Sequence, residues 1–382
     1  MRTMYDIPSD VETPSFVVDV GLLEENLRIL KEVQTESGCT VLLALKGFAM
    51  WGVAPLIRKY LDGVAASSPH EARLGQEEFK GKVHAYAPAY SDADFREIIS
   101  YCDHVILNSF SQWKRLRPIA QENNKKIQFG IRINPEHSEV ETKLYDPCAP
   151  CSRLGVTRNS FNSIDFDGIS GLHVHNLCEL GVDALERTIH VLEQNFASWL
   201  SRVRWVNLGG GHHITHPSYN RNKLIELLRT FRKRWDVDMF IEPGEAIAIR
   251  TGVLVTSVLD IIENGMPIAI LDISATAHIP DCLEMPYRPE IVGSGKPGEK
   301  QYTYRLGGLS CLAGDVVGDY SFDSPLRVGQ KLVLLDMSHY TMVKTSNFNG
   351  VRIPSICTYD HVTEKTVTHR RFSYESYRDR LS

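Results

Sequence analysis

Eight short β-rich runs punctuate residues 40–242, at 41–45, 63–66, 83–86, 104–107, 128–133, 169–174, 204–208 and 239–241. Amphipathic stretches fill most of the gaps, most plainly ALERTIHVLEQNFASWL at 184–199 and RNKLIELLRTFRKRW at 221–235. Apolar spacing of three and four residues in those stretches predicts helices, and the short apolar runs predict buried strands. Eight strands with intervening helices predict a (β/α)8 TIM-like barrel, in which the C-terminal strand ends carry the chemistry.

Those ends are informative. The first run, TVLLALKGF at 40–48, stops in Lys46 and Gly47. A lysine there can simply snorkel out of the core. The sixth run, however, ends in His175, the seventh in Gly209, Gly210 and Gly211, and the eighth in Glu242, Pro243 and Gly244. A solvated lysine does not predict such neighbours. Bare N–H groups after the seventh strand can wrap a phosphate. Lysine for a Schiff base, glycine amides for a phosphate and a carboxylate for a pyridine nitrogen together fit pyridoxal phosphate.

After residue 250 the pattern changes. VLVTSVLDII, PIAILDIS, YTYRLGG, QKLVLLDM and RIPSICTYD read as strands separated by turns. The expected organisation is a barrel over 20–250 and a mainly β domain over 251–382, joined by the N-terminal segment 1–19, with SFVVDV, 15–20, entering that domain before the chain goes on into the barrel. Hydrophobic residues at 43% supply a sizeable core for both. A net charge of −5 argues against nucleic acid or an anionic membrane as partner. No apolar span reaches membrane-crossing length. MRTMYDIPSD lacks the apolar core of a signal peptide, so a cytoplasmic protein with reduced thiols is expected. Cys148 and Cys151 in DPCAPC have redox or half-zinc spacing, but no second C-x-x-C completes a metal site, and none is expected.

The motifs, in this order, resemble the alanine-racemase-like, fold-type III pyridoxal-phosphate decarboxylases, and the resemblance runs through nearly the whole chain. It implies that ALKGF carries the Schiff-base lysine, Lys46, and that GLHVHN carries the histidine stacked on the pyridine face, His175 rather than His173. LGGG and EPG supply phosphate and pyridine-nitrogen contacts through Gly209, Gly210, Gly211, Glu242 and Gly244. CLAGD, 311–315, resembles the motif whose cysteine and acidic residue reach the neighbouring subunit's site, which implies a homodimer. SHYTMVKTSNFNG, 338–350, resembles the segment whose tyrosine, Tyr340, touches the phosphate.

ATAHIPDCLEMPYRP at 275–289 and CLAGDVVGD at 311–319 narrow the resemblance to members that decarboxylate carboxylated polyamines, carboxynorspermidine and carboxyspermidine. Two departures from the ornithine and diaminopimelate members agree. Glu245 stands where an arginine usually follows E-P-G, and Leu312 follows the motif cysteine where the ornithine enzyme has aspartate. The resemblance implies catalytic roles for Lys46, His175, Glu242 and Cys311, with Cys311 protonating the carbanion. Glu245 and Asp281 are expected to bind substrate amines, with Glu284 and Asp315 in reserve. The alternatives are another decarboxylase of this fold, acting on diaminopimelate, ornithine or arginine, and a non-catalytic relative that binds a partner protein.

Overall fold

The computed structural model describes residues 11–123, 125–161 and 166–382. The first ten residues, within the N-terminal segment expected to join the β domain, lie outside the described residues. The chain forms two compact units. One is Glu24–Ile247; the other takes the N-terminal segment up to Leu23 together with Ala248–Ser382.

The first described strand, β1 (Ser15–Asp19), belongs to the second of these. The next eight, β2 (Thr40–Ala44), β3 (Gly63–Ala66), β4 (Lys82–Tyr86), β5 (His104–Leu107), β6 (Gln128–Ile133), β7 (Ile169–Val174), β8 (Trp205–Asn207) and β9 (Asp238–Ile241), close a parallel barrel. Each pairs with its neighbour in sequence, and β2 pairs with β9 to close the ring. The helices Val182–Leu200 and Arg221–Trp235 bury one face each, through residues such as Leu185, Leu192, Leu224 and Leu228. This is the α/β barrel that the alternating runs predict.

The barrel interior is filled rather than hollow. Trp205, 1% exposed, packs among Leu42, Ala44, Ile106 and Phe240. Its indole takes the space that two facing glycines leave open. A Cβ at Gly171 would stand 1.8 Å from Trp205, and one at Gly130 only 2.4 Å. Gly171→Ala therefore overpacks the core and is expected to cost about 1–3 kcal/mol or more of stability. A denaturant midpoint equal to wild type would contradict this packing account.

His84 and His104 stack beside the tryptophan, with ring centroids 4.0 Å apart. Burial holds His84 well below its ordinary value and pushes His104 from 6.5 to about 4. Both are therefore neutral in the fold at neutral pH. Between about pH 6.5 and 4 the unfolded chain takes up protons that the folded chain refuses. Stability should fall with falling pH by about 1.4 kcal/mol per pH unit for each such imidazole. Urea unfolding at about pH 7 and about pH 5 measures this; a midpoint that does not fall on acidification would contradict it.

The second unit carries an eight-stranded mixed sheet. Its strands are β1, β10 (Gly252–Glu263), β11 (Pro267–Leu271), β12 (Tyr302–Gly307), β13 (Val316–Phe322), β14 (Lys331–Leu335), β15 (Ser355–Asp360) and β16 (Lys365–Arg370). The order is β13-β12-β11-β10-β1-β15-β16, with β14 also pairing β10. SFVVDV therefore enters this sheet as β1, antiparallel to β10 and parallel to β15. Among the described residues no helix is long and apolar enough to cross a membrane.

Candidate active site

The ends of β2, β7, β8 and β9 bring together the groups that the sequence marks at the barrel mouth. Lys46 lies two residues past β2. It turns in because Gly47 N–H bonds back to Ala44 O at 2.9 Å. His175 directly follows β7, and its Nε2 lies 3.2 Å from Lys46 Nζ. Gly210 N–H donates to His175 Nδ1 at 3.1 Å. With Nδ1 accepting, the neutral ring carries its proton on Nε2, directed at the lysine.

Lys46 reaches solvent, yet protein crowds its amine. Loss of hydration pushes the ammonium below its ordinary value; Glu242 works against this and Arg132 adds to it. A lysine so placed keeps more of the neutral, nucleophilic amine that Schiff-base chemistry needs. Burial, then Lys46 and Arg132, hold His175 well below its ordinary value, so it presents an uncharged flat ring.

Glu242 follows β9 and is anchored by its own N–H, which donates to Gly209 O at 2.7 Å. Burial alone works to raise its carboxyl. His173, Asn207 and Lys46 outweigh that and hold it below its ordinary value, so it is a carboxylate. Asn207 Nδ2 donates to Oε1 at 2.6 Å, and His173 Nε2 lies 3.4 Å from Oε2. The sequence reading assigns no role to Asn207, Arg132 or Tyr86, and His173 enters it only as the histidine passed over for His175. Period-two alternation places residue 173 on the same strand face as residue 175, and that signal was there to be used. Arg132 is 4% exposed, donates to His175 O at 2.8 Å and stacks on Tyr86 at 4.5 Å.

The glycine run does more than expected for the protein and less for a phosphate. A Cβ at Gly210 would stand 2.1 Å from Glu242 O, and one at Gly211 1.9 Å from Leu177 O. Close backbone approach, not flexibility, therefore requires glycine here. Gly209 N–H is taken by Asn207 Oδ1 at 2.9 Å and Gly210 N–H by His175. Of the three amides, only that of Gly211 has no acceptor among the described residues. Gly244 packs against Gly47, where a Cβ would come within 2.8 Å of Gly244 Cα. Glu245 begins the short helix Glu245–Ala248 and lies 3.3 Å from His213 Nε2.

In the other unit Cys311 is exposed, and its N–H donates to Asn349 Oδ1 at 2.8 Å. Tyr340 has φ +48° and ψ −55°, a conformation a bulky residue rarely adopts. Asp281 and Glu284 both pair with Lys344, at 2.6 Å for Glu284. Asp315 differs from the expected reserve acceptor. It is 5% exposed, and its two oxygens accept N–H groups of Ala275 at 2.6 Å and Ser310 at 2.8 Å. Those bonds pin its own loop. Cys148 and Cys151 are free thiols, and burial pushes Cys148 up to about 11, away from thiolate reactivity.

A crowded lysine amine, a flat neutral imidazole and a buried ionised carboxylate form the donor set that pyridoxal phosphate takes. A family profile described as pyridoxal-dependent decarboxylase, C-terminal sheet domain, matches residues 15–338. The chain belongs to the pyridoxal-dependent decarboxylases. Its cofactor is accordingly pyridoxal phosphate. Among curated relatives, carboxyaminopropylagmatine decarboxylase of Synechocystis is 46% identical over 98% of this chain and 96% of its own. Carboxynorspermidine/carboxyspermidine decarboxylase of Campylobacter jejuni is 40% identical over 96% and 98%. The crystal structure of carboxynorspermidine decarboxylase from Campylobacter jejuni, complexed with norspermidine, superposes with a TM-score of 0.89. Its sequence is 39% identical, and the match covers 97% of this decarboxylase and all of that chain.

Proposed function

We propose that this decarboxylase converts carboxynorspermidine or carboxyspermidine to norspermidine or spermidine in polyamine biosynthesis. The single observation that carries the substrate is the near-full-length similarity to enzymes of that name, one of them with norspermidine bound. When bound, pyridoxal phosphate supplies the electron sink that makes loss of carbon dioxide from an α-amino acid feasible. Lys46 Nζ links it covalently. His175 would fix the ring plane, and Glu242 would meet the ring nitrogen. Gly211, Gly244 and Tyr340 would hold the phosphate, with Gly209 and Gly210, whose N–H groups are taken by Asn207 and His175, lining it without those donors. The unusual backbone of Tyr340 supports a functional constraint there. Cys311 Sγ delivers a proton to the carbon that has lost its carboxylate. Its exposure supports a role toward a second subunit, and we read the enzyme as a homodimer with shared sites. Eight free cysteines support a reducing, cytoplasmic location.

A second reading, decarboxylation of carboxyaminopropylagmatine, is favoured by the higher identity to the Synechocystis enzyme. Product inhibition separates the two. Norspermidine and spermidine should compete with substrate under the first, and the aminopropylagmatine product under the second. Lysine or putrescine competing better than all three would defeat both.

Glu245, Asp281 and Glu284 are the candidate acceptors for the substrate's remote amines. Lys344 neutralises one charge of the Asp281/Glu284 pair, so two carboxylates less one ammonium leave one negative charge. Glu245→Gln and Asp281→Asn are each expected to lower kcat/KM by about tenfold to a hundredfold, the worth of one charge-assisted contact, about 1.5–3 kcal/mol. Unchanged efficiency in both would remove them from the pocket. Loss of cofactor instead of substrate affinity would assign Glu245 to the cofactor.

A further inference from the structure

Glu242 does not stand alone in the barrel. Its Oε1 receives Asn207 Nδ2–H at 2.6 Å, and its Oε2 faces His173 Nε2 at 3.4 Å. His173 is 1% exposed and lies inside the barrel on β7. Neither ring nitrogen makes a conventional hydrogen bond among the described residues, and the ion-pair contact of the ring is the one to Glu242 Oε2. The ring is held in place on its face by Tyr86, at 5.4 Å between centroids and 27° between planes. Tyr86 is itself tied by its hydroxyl to Asn108 Oδ1 at 2.7 Å. The imidazole is thus held in place with Nε2 beside a carboxylate.

The consequence follows from where a proton rests between a carboxyl and a pyridine nitrogen. A buried carboxylate without donors reverts toward the neutral acid. Facing a pyridine nitrogen, a neutral acid keeps its own proton and leaves the ring uncharged. A carboxylate stabilised by donors leaves the proton on nitrogen, and the ring becomes a strong electron sink. Asn207 supplies one donor; the second decides the balance. We propose that His173 is a positioning residue whose Nε2–H keeps Glu242 ionised and so sets the shared proton on the cofactor ring. The proposal rests on the reading that pyridoxal phosphate binds at Lys46 with its nitrogen toward Glu242.

The groups that face His173 are Glu242 on the β9 side, Arg132 on β6, Lys46 beyond β2, and His84 and Tyr86 on β4, with His175 on its own strand. Burial, Arg132 and Lys46 disfavour a charged imidazole, and Glu242 opposes them; His173 is held below its ordinary value. The ring is therefore neutral, and because Nε2 is the nitrogen beside Glu242 Oε2, its single proton is assigned to Nε2.

The test uses holoenzyme reconstituted with pyridoxal phosphate isotopically labelled at the ring nitrogen and followed by nitrogen NMR. His173→Phe keeps a ring against Tyr86 and removes the donor; His173→Gln restores an N–H. Wild type and His173→Gln should show a protonated ring nitrogen. His173→Phe should shift toward the unprotonated signal, with kcat down by about tenfold to a hundredfold and KM little changed. If Glu242→Gln moves the nitrogen signal and His173→Phe does not, Glu242 holds the proton unaided and the proposal fails. If Glu242→Gln does not move it either, the cofactor orientation fails and takes the proposal with it. Should His173→Phe not fold, nitrogen NMR of labelled histidines in wild type decides, with His173→Gln for assignment. A neutral His173 protonated at Nε2 supports the proposal, and one protonated at Nδ1 overturns it.

Discussion

Lys46→Ala should abolish turnover and the covalent attachment of pyridoxal phosphate together. The two losses share a cause, because the amine that attaches the cofactor also releases the product. Nothing else at the mouth replaces it. His175 Nε2 lies 3.2 Å away, and burial holds that ring uncharged. Borohydride reduction of the wild type followed by peptide mapping should place the cofactor on Lys46. The same treatment of Lys46→Ala should leave no cofactor on the chain after denaturation. A modified peptide containing a different lysine would contradict the site as built here. The low-lying ammonium adds a further expectation. Restoring a longer or shorter amine in place of Lys46 should recover little activity, because the crowding that favours the neutral amine is specific to this position.

The second large effect concerns Cys311. Lys46→Ala and Cys311→Ala proteins should each be nearly inactive, and mixing them under conditions of subunit exchange should restore activity. If Cys311 serves the partner's cofactor, a heterodimer of the two carries one site with both residues intact and one with neither. Random exchange of equal amounts makes half the dimers heterodimers. With one working site of two in each, recovery should approach a quarter of wild type, roughly, if sites act independently. The exposed thiol and the pinned N–H of Cys311 describe a residue presented outward on a fixed loop. Asp315, which ties that loop to Ala275 and Ser310, explains why the loop is fixed. No recovery despite demonstrated exchange would make each subunit self-sufficient.

The barrel was legible because its strands are short and largely apolar, and because several of them run out into a polar or glycine residue. Lys46 and Glu242 could be found by reading those ends. Two strands of the other unit were not. Val316–Phe322 was read only as the tail of a motif, since Gly318, Asp319 and Ser321 interrupt its apolar pattern. Lys365–Arg370 is largely polar and pairs only with β15 at the end of the sheet, where alternation carries little signal. In the site, residues aimed into the barrel from strand interiors were missed. His173 and Asn207 matter through what they touch, and Glu242 at the end of β9 is contacted from the two preceding strands, β7 and β8. The pairing of Lys344 with Asp281 and Glu284 spans some sixty residues, and no local pattern announces it. The N–H groups that Asp315 accepts come from Ala275, forty residues away, and Ser310, and no local pattern announces the first of them.

The most direct test is carbon dioxide release by purified wild-type protein loaded with pyridoxal phosphate. Substrates are carboxynorspermidine, carboxyspermidine, carboxyaminopropylagmatine, diaminopimelate, ornithine and arginine, each supplied separately at equal concentration. The account predicts that kcat/KM for a carboxylated polyamine exceeds that for every simple amino acid by at least about tenfold, the worth of one remote amine contact. Equal or greater efficiency on diaminopimelate, ornithine or arginine, or no release from any of the six, would contradict it.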